Sequence, residues 1–405
     1  MSYEVIYFCS PKLSDELHRV NEEMISTLQD MALATPLSMG LTGLDVEFDF
    51  NSGFRMKIPA GNWHVKIWDE DTQTEFFDDD VSNALLFSLE KFFVRWAFEI
   101  FRDGESVAYH VYNPEGQNVH FQLLVPSMGD NISVYPYLEE FCRKWNCRAT
   151  CHVEPYLQKI FEKNFPKIKC VNAMPSNTYA CYGMGPALNP FFQPTEFRKI
   201  SLQKTGGEIL RLNQVQKKIY RPTKPRKISE PYVCIAAQAS CTPKAWLNPN
   251  GWDEVIAYLK HLGYRVLCID KNSEQTDHGL TVKMPEGAEN FTGDIPLIER
   301  VNLLAYADFF IGLSSGLSWL AWAVDIPVIL ISGITAAWCE FETPYRIWNP
   351  LVCNGCHNDT SIMWAEFENC PRHKGTSRAF ECSKKISARQ VINAVDEIRS
   401  RKKFS

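Results

Sequence analysis

The sequence predicts an α/β chain in which two doubly wound halves follow a small β region. Residues 118–145 read as strand, glycine turn and helix. Asn118-Val119-His120-Phe121-Gln122-Leu123-Leu124 alternates and then becomes wholly apolar, and Val125-Pro126-Ser127-Met128-Gly129-Asp130-Asn131 is a turn. Val134, Tyr137, Leu138, Phe141 and Trp145 then recur at helical spacing. The same texture repeats within 228–350, which implies a second doubly wound half. Between 43 and 117, short alternating runs are separated by Asn51-Ser52-Gly53, Pro59-Ala60-Gly61-Asn62 and Asp103-Gly104, the pattern of a small antiparallel barrel or sandwich.

At 405 residues, 45% hydrophobic and 22% charged, the chain is long enough for two or three cores. A formal net charge of −6 argues against a general nucleic-acid binder, whose phosphate contacts need a basic surface. No apolar run approaches the roughly 20 residues that span a bilayer, and no basic segment followed by an apolar one opens the chain. A cytoplasmic location follows, with most of the 14 cysteines as reduced thiols.

Residues 1–42 form an arm whose amphipathic pattern runs from Leu13 through Val20 to Met24, Ile25 and Leu28. In the β domain, 43–117, Trp63, Trp68 and Trp96 suit core packing better than a sugar-stacking surface, because aromatic residues dominate small β cores. The first half, 118–200, adds a strand at 148–153 and a helix at 156–161. Tyr182-Gly183-Met184-Gly185 lacks the third glycine of a nucleotide fingerprint and is set aside. Residues 201–227 place Thr205-Gly206-Gly207 between strand-like segments and end in a basic run from Lys217 to Lys227. They read as a β-hairpin and linker, either solvated or projecting toward another subunit or the acceptor. The second half, 228–350, precedes a cysteine-bearing segment, 351–384, and a C-terminal helix, 385–405.

Asp130 lies in the turn after the first strand of its half, at the carboxyl end of the sheet where open α/β folds bind ligands. There it can either face a substrate or cap the helix, which Asp also favours. In the second half, Ala307-Asp308-Phe309-Phe310-Ile311-Gly312 delivers Leu313-Ser314-Ser315-Gly316-Leu317-Ser318 to the start of a helix. Small residues there admit a diphosphate to orphan amides and the positive end of the helix dipole; a Ser-Ser cap with a packing glycine is the structural alternative. Lys244, also after a strand, can neutralise the same diphosphate. Asp270 ends the next strand, where a ribose-binding carboxylate is expected. No Asp-x-Asp motif sits beside a strand to hold a metal, so chemistry at this diphosphate is expected to need no metal.

Cys353-Asn354-Gly355-Cys356, Cys370 and Cys382 make a tetrahedral metal pattern, because thiolates at that spacing can meet on one soft ion. Chemistry alone favours zinc, and four thiolates leave no open position for substrate, so the site is structural. His357 and His373 are read as solvated or second-shell residues.

Ser127-Met128-Gly129-Asp130 followed by Tyr135-Pro136-Tyr137-Leu138 resembles the N-terminal turn of the lipopolysaccharide heptosyltransferases of glycosyltransferase family 9, in which the aspartate is the proposed general base. The 308–327 segment resembles that family's Asp-Thr-Gly-Leu-x-His-Leu turn but departs from it at Asp, Thr and His. With Glu230-Pro231-Tyr232-Val233-Cys234-Ile235-Ala236 and Gly263-Tyr264-Arg265-Val266-Leu267-Cys268-Ile269-Asp270, it is similar to the bacterial autotransporter heptosyltransferases. That resemblance, from about residue 43 onward, implies a GT-B pair of Rossmann-like domains behind a small N-terminal β-barrel. It implies an ADP-heptose donor, serine acceptors on an autotransporter adhesin passenger domain and Asp130 as base in an inverting transfer. It further implies that Lys244 and the 314–318 turn hold the leaving ADP. Gly129, Asp270, Thr292-Gly293-Asp294, Ser314, Ser315, Gly316, Leu317 and Ser318 are further candidate contacts to nucleotide or sugar. It also implies one structural iron on Cys353, Cys356, Cys370 and Cys382, and a dodecameric ring built through the finger and the 201–226 hairpin. A non-catalytic factor that binds autotransporter chains, and a lipopolysaccharide core heptosyltransferase, are the competing functions.

Overall fold

The computed structural model describes residues 3–17, 22–215, 218, 220–364 and 366–402. The arm is part of the β domain. Strand Glu4–Phe8 pairs in parallel with Ala84–Ser88, and helices Pro11–Glu16 and Glu22–Leu33 follow it. Residues 18–21 of the predicted run lie outside the described residues. Leu28 and Ala32 bury against Phe87, Leu89 and Phe191.

The β domain is two sheets rather than one closed barrel. One orders Glu4–Phe8, Ala84–Ser88, Arg55–Ile58, Val46–Asp49 and Met39–Leu41; the other orders Thr74–Val81, Trp63–Asp69, Trp96–Arg102 and Glu105–Val111. They face each other across aromatic rings, Phe54 against Phe98 at 5.7 Å and Phe8 against Trp96 at 6.1 Å. Packing of the two inner faces replaces the closing ladder of a barrel. Trp63 and Trp96 are core residues, while Trp68 is half-buried beside Tyr109. A buried ion pair, Arg55 Nη2 to Asp49 at 2.6 Å, also reaches the arm, since Arg55 Nη1 donates to Ala32 O and Thr35 O.

Both α/β halves have all-parallel sheets. The first orders Ile168–Cys170, Arg148–His152, Asn118–Leu123 and Ala180–Met184. The second orders Glu289–Asn290, Arg265–Cys268, Tyr232–Ile235, Phe310–Leu313, Val328–Ile331 and Arg346–Ile347. In each, the first strand in sequence lies inside the sheet with later strands on both sides. Its carboxyl end is thus a switch point where the following loops diverge and leave a crevice.

Residues 202–210 correct the expected hairpin: Leu202–Leu210 is a helix, capped by Ser201 Oγ accepting from Gln203 N. Gly206 and Gly207 form a notch rather than a turn. A Cβ on Gly206 would stand 2.4 Å from Cδ2 of Tyr137, so only glycine lets this helix lie on Met128–Trp145. Beyond it, Lys217 and Ile219 lie outside the described residues. Lys218 pairs with Asp325 at 3.0 Å, Lys224 pairs with Glu299, and Tyr220 is buried, so the basic run lies along the second half as a linker. Helix Ala388–Lys402 covers the second sheet through Val391, Val395 and Ile398.

Candidate functional site

The two switch points open on one cleft of about 500 Å³ between the halves. Ser127, Gly129 and Asp130 line one wall; Ser240, Lys244, Ser314, Ser315 and Gly316 line the facing one. Two helices, Met128–Trp145 and Gly316–Ala323, bring their N-termini together here. A Cβ on Gly129 would lie 2.6 Å from Trp319 Cδ1, and one on Gly316 would lie 2.8 Å from Met128 Cβ. Reciprocal glycines therefore set the approach of the halves, and two sets of orphan amides point toward one space, which favours an anion.

Ser127, not Asp130, is the N-cap residue; Asp130 sits in the first turn. Burial pushes its carboxyl above the usual range, against the opposing effects of Ser127 and the Lys244 ammonium. The result is a partly screened base facing a cation, the electrostatic setting of a proton acceptor. Lys244 Nζ donates to Ser240 Oγ at 3.0 Å.

Glu340, unread in the sequence, is buried beneath the Ser314 turn. It accepts from Ser314 Oγ, from Thr335 Oγ1 at 2.7 Å and from Arg346 Nη1 at 2.5 Å. Burial alone would raise its pKa, but Arg346 and these hydrogen bonds outweigh that and hold the carboxyl below its usual range. Only the fold brings a lone Glu 26 residues downstream under the turn.

Other candidates fall elsewhere. Asp270 does end its strand, but it is buried: Oδ2 accepts from Ala237 N at 2.8 Å and Oδ1 from Gln238 N at 3.2 Å. Burial lifts its pKa to about 6 against those bonds and Cys268. It ties the loop after Tyr232–Ile235 and is not among the cleft-lining residues. Asp294 is exposed and pairs with Lys271 at 3.5 Å, while Gly293 O accepts from Arg300 Nη2. Ser318 is buried and donates to Leu313 O, and Leu317 packs against the main core. None of these five lines the crevice: Asp270, Gly293, Ser318 and Leu317 serve the backbone or the core, and Asp294 makes a surface ion pair.

Cys353, Cys356, Cys370 and Cys382 line one small cavity, with Phe380 N donating to Cys370 Sγ at 3.2 Å and Arg372 Nη1 to Cys353 Sγ at 3.6 Å. The donor set fits a soft cation. Among the described residues, however, no group of three or more His, Cys, Asp or Glu side chains is drawn together closely enough to hold a metal ion. Of the two readings of His357, solvated or beside the cysteine site, the structure excludes the solvated one. His357 is buried and lines the cleft, and burial pushes its imidazole down to about 3, with Lys244 adding to the effect.

Comparisons with known proteins agree with this geometry. Residues 42–104 match the model of the N-terminal domain of glycosyltransferase TibC, and residues 191–345 match glycosyltransferase family 9 (heptosyltransferase). The chain is 40% identical over 365 residues to the autotransporter heptosyltransferase BAHTCr of Citrobacter rodentium (strain ICC168), covering 87% of this chain and 89% of that one. It is 33% identical over 363 residues to the inactive autotransporter heptosyltransferase BimC of Burkholderia thailandensis, covering 87% of this chain and 86% of that one. It superposes with a TM-score of 0.86, at 38% identity over 90% of this chain and 99% of the other, on the crystal structure of dodecameric iron-containing heptosyltransferase TibC in complex with ADP-D-beta-D-heptose. Among the described residues, no helix is long and apolar enough to cross a membrane. Sequence, fold and cleft together place the chain, a glycosyltransferase, in the autotransporter heptosyltransferase family.

Proposed function

We propose that the chain is a cytoplasmic protein O-heptosyltransferase that moves heptose from ADP-heptose to serine side chains of an autotransporter adhesin passenger domain. The carrying observation is the opposition, across one cleft, of a half-buried carboxylate and an anion cradle. Asp130 removes the serine proton as Oγ bonds to the anomeric carbon. The bond from that carbon to the diphosphate oxygen breaks on the opposite face, so the configuration inverts and ADP leaves with the electron pair. The amides at the start of Gly316–Ala323, with Ser314, Ser315 and Lys244, hold the leaving charge where it develops. Glu340 keeps Ser314 in place from below.

Cys353, Cys356, Cys370 and Cys382 would hold one structural iron, with zinc the chemical alternative. The metal would supply a cross-link to a polar segment and no chemistry to the transfer. A dodecameric ring is proposed from the relative that is described as one.

Intact mass of a passenger fragment after incubation with ADP-heptose tests the proposal. Stepwise heptose additions with wild type, absent with Asp130→Asn, are expected; no addition to a verified acceptor from an active donor refutes it for that pair. The departures from the family turn at Ser314, Ser315 and Trp319, and the inactive relative, favour one second reading, an autotransporter-binding factor without catalysis. It requires passenger binding that Asp130→Asn leaves intact and no mass increase with wild type.

A further inference from the structure

We infer that the cysteine-bearing segment is itself a wall of the substrate cleft, where His357, Trp364 and Phe367 form the subsite for the donor's sugar ring. The inference rests on the heptosyl-transfer reading and extends it to a part of the chain otherwise assigned only a structural role.

The anion cradle and Asp130 define two corners of the cleft. The reacting sugar carbon has to lie between them, and His357, Trp364 and Phe367 line the space beside them. The imidazole stands edge-on to Trp364, centroids 5.1 Å apart at 70°, and to Phe367, 4.8 Å apart at 77°. Lys244 Nζ lies 5.9 Å from the Phe367 centroid, so this aromatic corner adjoins the phosphate corner. Trp364 is 39% exposed, leaving part of the ring open to a ligand, and aromatic faces receive the C–H face of a sugar. His357 Nδ1 is buried without a hydrogen-bond partner, in the same state as Ser315 Oγ on the cradle. Unpaired buried polar atoms are uncommon in native folds, and a hydroxyl-rich ligand supplies both donors and acceptors.

The wall is fastened to both halves. Gly355 N donates to Gly333 O at 2.9 Å and His357 N to Ile334 O at 3.1 Å, continuing the second half. From the first half, Arg198 Nη1 donates to Asp359 O at 3.0 Å and Ile362 O at 2.7 Å, and Phe197 packs on Trp364 at 5.0 Å. A segment held this way sets the position of His357.

Calorimetric titration of the full chain with ADP-heptose and with ADP tests the subsite in wild type, His357→Phe and Trp364→Leu. Both variants are expected to bind ADP-heptose about tenfold more weakly, the scale of one lost hydrogen bond or stacking contact, with ADP affinity unchanged. Variants that keep wild-type affinity for ADP-heptose overturn the inference. So does a parallel loss for ADP, or a defect confined to the KM of the passenger. Trp364 is partly exposed, so Trp364→Leu keeps the test open if His357→Phe fails to fold. A wild type that binds ADP-heptose no better than ADP would instead overturn the donor reading itself.

Discussion

Asp130 combines a functional demand with an energetic cost. It acts as a base only when ionised, and burial raises its pKa, so the acid limb of kcat/KM is expected above the ordinary carboxylate range, with rate rising as pH rises through it. Removing the opposing cation with Lys244→Gln should move that limb further up in pH-rate profiles. A carboxyl whose folded-state pKa is raised contributes stability that is present below its unfolded pKa and lost as pH rises through the folded value. Asp130→Asn should therefore keep or raise the Tm at neutral pH while abolishing transfer, whereas a purely structural Asp130 would lower it. Glu340 has the reverse sign. Its depressed pKa contributes stability above the unfolded value that is lost as pH falls through the folded one. Glu340→Ala leaves Arg346 buried and unpaired. It is expected to cost about 3–5 kcal/mol in denaturant titration and to raise the KM for donor through Ser314. Asp270→Ala should cost about 1–3 kcal/mol for each orphaned amide, with no selective effect on donor KM.

The helices Met128–Trp145 and Gly316–Ala323 build the site at the scale of elements. Alanine in place of a helical glycine ordinarily stabilises by roughly 0.5–1 kcal/mol. At Gly129 and Gly316 the new Cβ meets a ring and a side-chain stem from the opposite half, and overpacking costs about 1–3 kcal/mol. Packing should win. Gly129→Ala and Gly316→Ala are expected to lower the Tm and cut kcat/KM at least tenfold by spreading the cleft; a rise in Tm with full activity would show that the halves adapt freely. The same logic explains the misread helix Leu202–Leu210. Gly206-Gly207 looks like a turn in one dimension because glycine is common in turns, yet here it makes room for Tyr137, 69 residues away in the chain.

For the whole molecule, the proposed metal makes an expectation that needs no activity measurement. Purified protein should carry about one iron per chain by elemental analysis. Cys353→Ser should reduce that content and lower the Tm, since a four-thiolate site contributes folding energy directly. Protein free of metal with an unchanged melting curve would remove the iron proposal. Light scattering should report a mass near twelve chains if the ring forms; a monomer would refute it.

Read without coordinates, the chain reveals its local periodicities: two parallel α/β halves, the turn bearing Asp130, the serine turn at 314–316, and Lys244 after its strand. Each is a pattern over a few residues, where side-chain alternation and turn chemistry determine the outcome. The open two-sheet form of the β domain and the strand Glu4–Phe8 depend on pairing across some 80 residues, which alternation in one segment does not encode. Asp270 obeyed the positional rule for its strand end, but tertiary burial turned its oxygens toward backbone amides. Glu340 and His357 had no signal at all in their neighbourhoods, a lone carboxylate and a histidine beside a cysteine knuckle. Local sequence determined which segments carry chemistry; only the packing of the two halves and the cysteine-bearing segment decided which side chains share the cleft, because that depends on long-range close packing rather than on periodicity.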